Sequence, residues 1–305
     1  MSRVDETRIV DRDAETAIFG NLIQMRVPRR VMLVSDRSGM GKTDLLRKLR
    51  LLCERDHGVA VALVLLDEFV GRQDEFTVVD HLHSALTSTG ASFPRFAALN
   101  GALRRRDVTP FGDRFGGRVS AALDLRQAAI AGNARVSGVA IDADNVTIAP
   151  QMWTDELDAY VRGRCVEAFL EELETYARER PVALLFDGLE KVSDALRRWI
   201  IVDIVRQRLL DDWQNRKMVV VLAGVDVADM ILGRLPTGLH DCVEPVPSFS
   251  EWSREQVGEF LAANDLDQLE DTEVIAIHSL LSAKRYTLAS LLLVASMMAQ
   301  QRRSA

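Results

Sequence analysis

The run Asp36-Arg37-Ser38-Gly39-Met40-Gly41-Lys42-Thr43 follows the apolar residues Val31-Met32-Leu33-Val34 directly and opens an amphipathic stretch from Thr43 to Cys53. It restricts the fold strongly, because an apolar strand, a glycine-bearing turn and a helix in that order make a phosphate-binding loop. Glycine at 39 and 41 lets the backbone turn so that successive N–H groups converge on an anion, and the N-terminus of the following helix adds partial positive charge. The expected nucleotide cradle is Ser38, Gly39, Met40, Gly41, Lys42, Thr43 and Asp44. Within it Lys42 reaches the β- and γ-phosphates and Thr43 offers its hydroxyl to Mg2+. The full pattern G-x-x-x-x-G-K-[ST] has glycine where this chain has Asp36. Aspartate tolerates positive φ better than most residues, so the turn is expected to survive, with Arg37 neutralising the added charge.

A phosphate loop needs a metal partner, usually an acidic residue at the end of a neighbouring apolar strand, and Val182-Ala183-Leu184-Leu185-Phe186-Asp187 supplies one. Asp187 is the expected Mg2+ ligand beside Thr43, acting through water because magnesium dehydrates reluctantly. Glu190 is placed to orient or deprotonate an attacking water, and Glu190 and Lys42 are the expected catalytic residues. Two other readings stand beside this one. An aspartate after a strand also suits the cap of a helix, here one beginning near Ser193. Asp67-Glu68 ends an apolar strand too, although that strand is the next one after the loop helix and is expected to lie at some distance from the phosphates.

The 305 residues, 48% hydrophobic and 27% charged, suffice for a sizeable core in one large domain, or one large and one small. Apolar stretches such as Leu288 to Met298 are too short or interrupted to cross a bilayer, and Met1-Ser2-Arg3-Val4-Asp5-Glu6 is charged, so a cytoplasmic protein without membrane contact is expected. A net charge of −7 argues against a nucleic-acid footprint over the whole surface, although Arg26, Arg29 and Arg30, and Arg104 to Arg106, form local basic clusters. Cys53, Cys165 and Cys242 lack C-x-x-C spacing and read as core thiols. His81 and His83 share a face only if their segment is a strand, and no histidine has metal-site spacing with Cys or acidic partners.

Four apolar segments read as buried parallel strands: Arg30 to Ser35, Val59 to Leu66, Val182 to Phe186 and Met218 to Ala223. Helical patterns at Asp13 to Gln24, Thr43 to Asp56, Val78 to Thr87, Arg164 to Arg178 and Ser193 to Trp213 alternate with them, as a doubly wound α/β sheet requires. Residues 93–151 break the rhythm as an insertion, with a β-hairpin expected around Asp142-Ala143-Asp144-Asn145. From Ser250 onward the pattern is helical: Ser250 to Ala263, Asp271 to Ala283 and Thr287 to Gln301. The expected organisation is therefore a nucleotide-binding domain over 1–249 and a helical lid over 250–305.

Three segments resemble the AAA+-like ATPases, and most closely the STAND signal-transduction NTPases of bacterial defence and signalling and of eukaryotic death-and-immunity switches. Ile9-Val10-Asp11-Arg12-Asp13-Ala14-Glu15 is similar to the family's N-terminal box, Asp36 to Thr43 to its Walker A, and Phe186-Asp187-Gly188-Leu189-Glu190-Lys191 to its Walker B. The resemblance implies a P-loop NTPase binding ATP or ADP with Mg2+, hydrolysing slowly, and working as a switch read by a protein partner or by self-oligomerisation. It also implies that Arg12 lies near the adenine. Arg285, at the start of the final helix, would be a phosphate sensor, a solvated helix-start arginine being the other reading. The chain departs from the family at Asp11 and Asp36, which stand for glycines, at Lys191, which stands for an acid, and at Val225-Asp226, where no sensor arginine appears. An ADP-holding scaffold without hydrolysis, and a DNA-loading ATPase of the origin-recognition or transposon type, are the alternative expectations, the acidic net charge counting against the latter.

Overall fold

The computed structural model describes residues 12–55, 58–69, 71, 74–105, 139–142, 145–148, 155–246, 253–262, 266, 269–282 and 288–304. Among these, the strands are β1 (Val31–Ser35), β2 (Ala60–Leu65), β3 (Val139–Asp142), β4 (Asn145–Ile148), β5 (Val182–Asp187), β6 (Met218–Gly224) and β7 (Val243–Val246). The helices are α1 (Asp13–Ile23), α2 (Lys42–Arg55), α3 (Glu75–Ser88), α4 (Pro94–Arg105), α5 (Asp155–Glu179), α6 (Asp194–Trp199), α7 (Val227–Leu232), α8 (Arg254–Ala262), α9 (Asp271–Ser282) and α10 (Leu288–Ser304). None of the described helices is long and apolar enough to cross a membrane.

β2, β5, β6, β1 and β7 lie side by side in that order, and every pairing is parallel. Parallel neighbours require crossovers, and the helices between the strands provide them. The central strands read as unbroken apolar runs because helices cover both faces of such a sheet: all seven residues of β6 are buried, as are the first four of β1. The architecture is thus the expected α/β one, a doubly wound parallel sheet. Register levels the strand ends: Ser35 sits opposite Gly224, and Asp187 lies between Leu65 on β2 and Ala223 on β6. From β1 the chain crosses to the far edge of the sheet as β2, while β7 fills the other side, which makes the C-terminal end of β1 a point where the winding reverses. Open α/β sheets bind ligands at such points.

All four expected strands form. β7 is an addition, a four-residue edge strand containing Glu244 and Pro245. Proline cannot donate to a ladder, so such a sequence serves only at an edge, and it carries no apolar run to betray it. The single helix expected over Ser193 to Trp213 is three pieces: α6, a wider π-helical stretch from Ile200 to Leu209, and a 3-10 stretch from Leu210 to Asn215 with Asp212 kinked out at φ −141°. Arg216 then ends the stretch by donating to the carbonyls of Gln207, at 3.1 Å, and Arg208. The same Arg216 and Arg208 flank the Glu174 carboxylate at 3.5 and 2.8 Å. Nearby Arg30 donates to the carbonyls of Val27 and Arg29 at 2.6 and 2.7 Å and stacks 5.2 Å over Trp213. Burial pushes the Arg30 pKa below its ordinary value, with a weak opposing pull from Cys242.

The chain divides into two compact units, one formed by Met1–Ser92 with Leu173–Ala305, the other by Phe93–Glu172. The first unit holds the five-stranded sheet and the three C-terminal helices. Val257, Leu261, Ile277, Leu281 and Leu291 from those helices share one apolar core with Phe19 and Leu22 of α1 and Leu45, Leu46 and Leu49 of α2. Each such side chain stabilises the fold by roughly 1.5–3 kcal/mol when removed from water. In the second unit the Glu172 carboxylate accepts the Arg95 and Phe96 N–H groups, both at 2.9 Å, which satisfies donors that the start of α4 leaves open. Phe169 packs against Phe93 and Phe96 with ring centroids 5.1 and 5.6 Å apart. β3 and β4 make the expected antiparallel hairpin, pairing Asp142 with Asn145 and Val139 with Ile148.

Candidate nucleotide site

Beyond Ser35 the chain leaves β1 and turns twice before entering α2. Gly39 and Gly41 carry the left-handed φ values of this loop, 77° and 79°, which a side chain would strain. Asp36, expected to use its tolerance of positive φ, does not adopt it. Its N–H instead donates to Gly224 O at 3.2 Å, continuing the β1–β6 ladder by one residue, so a side chain is allowed where the pattern has glycine. The buried Asp36 carboxylate accepts the Arg37 main-chain N–H at 2.7 Å.

Lys42 is buried at the first turn of α2, and its ammonium donates to the carbonyls of Asp36 and Arg37 at 2.6 and 2.7 Å. Burial lowers its pKa; Glu190, Asp36 and Asp187 oppose that shift in decreasing order, and Lys191 adds to it. These charges therefore act on the Lys42 ammonium together. Thr43 Oγ1 donates to the Asp187 carboxylate, joining the start of α2 to the end of β5 across the intervening β6. Burial raises the Asp187 pKa, the Thr43 hydrogen bond, Lys191 and Lys42 hold it down, and Asp67 pushes it up further.

Glu190 lies in a short 3-10 turn, Leu189–Lys191, after Gly188. Its Oε2 accepts the Val225 N–H at 3.2 Å. A Cβ added to Gly224 would stand 2.3 Å from that same oxygen and 2.7 Å from Val227 Cγ2, so only glycine leaves the carboxylate its seat. Asp226 follows with a left-handed φ of 53°, uncommon outside glycine, and starts α7.

The other expected residues distribute as follows. Arg12, 4% exposed, donates to Met40 O at 3.2 Å and pairs with Glu15 at 3.4 Å, so its guanidinium braces the loop between β1 and α2. Met40 sends its side chain into the core, whereas Ser38 is exposed. Asp44 is exposed and paired with Arg47 at 3.0 Å on the surface of α2. Asp11 and Arg285 lie outside the described residues. β2 lies at the far edge of the sheet, three positions from β1, and just beyond it the Asp67 carboxylate meets Lys191 Nζ at 3.0 Å, next in sequence to Glu190. His81 sits on helix α3, where it bonds Leu63 O at 3.0 Å and meets Phe69 edge-on at 5.5 Å between centroids.

Sequence reasoning missed Gly224 and Arg197. The first ends an apolar strand like many glycines, and only the approach of Glu190 gives it meaning. The second is one of two consecutive arginines, Arg197 and Arg198, with no motif around them.

The arrangement suits a magnesium nucleotide. Gly39 and Gly41 shape an anion cradle at the N-terminus of a fourteen-residue helix, and Lys42 places a cation beside it. Thr43 and Asp187 juxtapose a hydroxyl and a carboxylate, a donor set that fits Mg2+, which takes few protein oxygens and completes its shell with phosphates and water. Among the described residues no group of three or more His, Cys, Asp or Glu is placed to hold a metal alone.

No protein-family model and no curated protein matches the chain. Solved structures do resemble it. Cdc6p from Pyrobaculum aerophilum aligns at 13% identity and a TM-score of 0.44, over 86% of this chain and 51% of that one. The Aeropyrum pernix ORC2 protein, solved as ADPNP-ADP complexes, aligns at 10% identity and a TM-score of 0.46, over 93% of this chain and 59% of that one. A chain of the E. coli MS115-1 HORMA:CdnC:Trip13 complex aligns at 13% identity and a TM-score of 0.41, over 90% of this chain and 74% of that one. The chain thus spans 51% and 59% of the length of the first two.

Proposed function

We propose that this protein binds ATP or ADP with Mg2+ at the C-terminal ends of β1 and β5, hydrolyses ATP slowly, and acts as a nucleotide-dependent switch. The observation that carries the reading is the meeting of Lys42 and Thr43, on the loop helix, with Asp187 from a strand two positions away in the sheet. Among the described residues the hydrogen bonds of the buried Lys42 ammonium run to two uncharged loop carbonyls; a phosphate gives it a charged acceptor and a stronger bond. Magnesium, when bound, would supply charge neutralisation to the phosphates. Thr43 and Asp187 hold it, Lys42 and the loop amides hold the phosphates, and Glu190 orients the attacking water and accepts its proton. The choice of adenine rests on the family resemblance and on the lack of an N-K-x-D-type guanine motif in the sequence.

Slow hydrolysis follows from Lys191 standing where the resembling family has a second acid, and from the Val225 amide, which competes for the Glu190 carboxylate. Met40, in the loop, belongs to the core that includes Val257 and Leu261 of α8, so nucleotide has a packed route to the C-terminal helices. A protein partner or a second copy of the chain reads that state, in signalling or defence. Lys42→Ala should weaken nucleotide binding more than 100-fold by calorimetric titration, and Glu190→Gln should keep ATP bound but uncleaved in single turnover. Unchanged affinity in Lys42→Ala sinks the nucleotide site; bound but intact ATP in the wild type replaces the switch with an ADP- or ATP-holding scaffold.

A further inference from the structure

We infer that Arg197 is the positioning residue of the Glu190 turn, fixing its main chain while Val225 fixes its carboxylate. The inference rests on Glu190 acting on water as proposed above. The turn from Gly188 to Val192 is too short for a regular hydrogen-bond ladder, and its carbonyls need donors from elsewhere. Arg197, one helical turn into α6, supplies them. Its Nε donates to Leu189 O at 3.0 Å, and its Nη2 to Glu190 O at 3.2 Å and Val192 O at 2.9 Å. Its Nη1 pairs with Asp194 at 2.7 Å, which sets the plane of the guanidinium. The side chain is 15% exposed. Three carbonyls of one turn gathered on one planar fork is a geometry that arginine meets and lysine, with a single rotatable ammonium, meets only in part.

On the far side of the same turn, Glu190 Oε2 takes the Val225 N–H, and the bare Cα of Gly224 leaves space for it. Glu190 is therefore held at both its main chain and its carboxylate. Arg197 touches neither a phosphate-loop residue nor Asp187 in any of these bonds, so its work is confined to where Glu190 stands. Displacing a reacting group by about 1 Å costs on the order of 100-fold in rate, whereas binding through Lys42, Thr43 and Asp187 is untouched.

The test uses the full chain and two readouts. Arg197→Met should slow single-turnover ATP hydrolysis at least tenfold while leaving ATP affinity within about twofold, and Arg197→Lys should fall between it and the wild type. In nucleotide-free protein, amide exchange of Val225 measured by NMR should quicken about tenfold in Arg197→Met and in Glu190→Ala, and the double variant should add less than twofold to either. Val225 exchange and hydrolysis both unchanged in Arg197→Met overturn the inference. So does a loss of ATP affinity equal to the loss of rate, which marks general damage to the fold. A wild type that leaves ATP intact overturns the hydrolysis reading and the catalytic purpose of Arg197 together, whereas active wild type with an indifferent Arg197→Met overturns the role of Arg197 alone.

Discussion

At the N-terminal ends of the strands, Arg216 and Arg30 bury their charge against carbonyls, the Glu174 carboxylate and Trp213; at the C-terminal ends, Lys42 and Asp187 bury theirs among loop carbonyls, a threonine hydroxyl and one another's fields. The N-terminal network is built around a shared carboxylate, since Glu174 takes both Arg208 and Arg216, and Arg216 also donates to the carbonyl of Gln207. The C-terminal one is arranged differently. Burial moves Lys42 down and Asp187 up, so each is pushed towards its neutral form, which means that folding pays for these charges and gains little from them. Burial pushes Arg30 at the other end the same way, so the two ends differ in what their charges meet: a shared carboxylate and an aromatic ring at one, loop carbonyls and a hydroxyl at the other.

Breaking each end should separate stability from binding. The largest stability effect is expected from Glu174→Ala, which takes the carboxylate from Arg208 and leaves Arg216 with the longer contact to Asp212 at 3.9 Å. Urea unfolding should show a loss of about 2 kcal/mol, less than for a fully buried network because Arg208 keeps some access to water. Nucleotide affinity should stay within about twofold, and a larger drop would mean that the two ends are coupled. Asp187→Asn should do the reverse. The tightening of nucleotide binding by Mg2+ should fall about tenfold, or roughly 1.4 kcal/mol, while the melting temperature at neutral pH holds or rises. A clear fall in melting temperature would place Asp187 with the structural network instead.

The smallest effect concerns Lys191 and Asp67, which meet at the rim of the site, each about half exposed. Solvent screening limits such a pair to about 0.5 kcal/mol, seen as slightly lower stability of Asp67→Asn at neutral pH. The Asp67 hydrogen bond is the main cause that raises the Lys191 pKa. A raised lysine stabilises the fold below its ordinary value near 10.4 and loses that contribution as pH rises through the higher folded value. The difference between Asp67→Asn and wild type should therefore disappear in strong alkali, and its persistence there would assign it to packing.

Much of this molecule was legible along the chain. β1, β2, β5 and β6 appear as apolar runs because both of their faces are covered, and the glycine loop before α2 appears because its turns and Lys42 lie within one short segment. The places of Asp187 at a strand end and of Glu190 in the turn after it were readable for the same reason, since strand end and turn are one segment. β7 was not, because its place at the edge asks for no apolar alternation, and the π-helical stretch was not, because Ile200 to Leu209 carries an ordinary helical pattern until Arg216 closes on its last carbonyls.

Only the tertiary structure decided which strand lies beside which. By putting β6 between β1 and β5 and β2 beside β5, it brought Gly224 under Glu190 and Asp67 to Lys191, pairs separated by 34 and 124 residues along the chain. It also decided that Asp36 needs no left-handed backbone, since its N–H continues a ladder with Gly224, and that Arg12 braces Met40. Local order depends on neighbours within a few residues, which a sequence displays; register, strand order and the choice of partner for a buried charge depend on loop closure and packing over the whole sheet, which it does not.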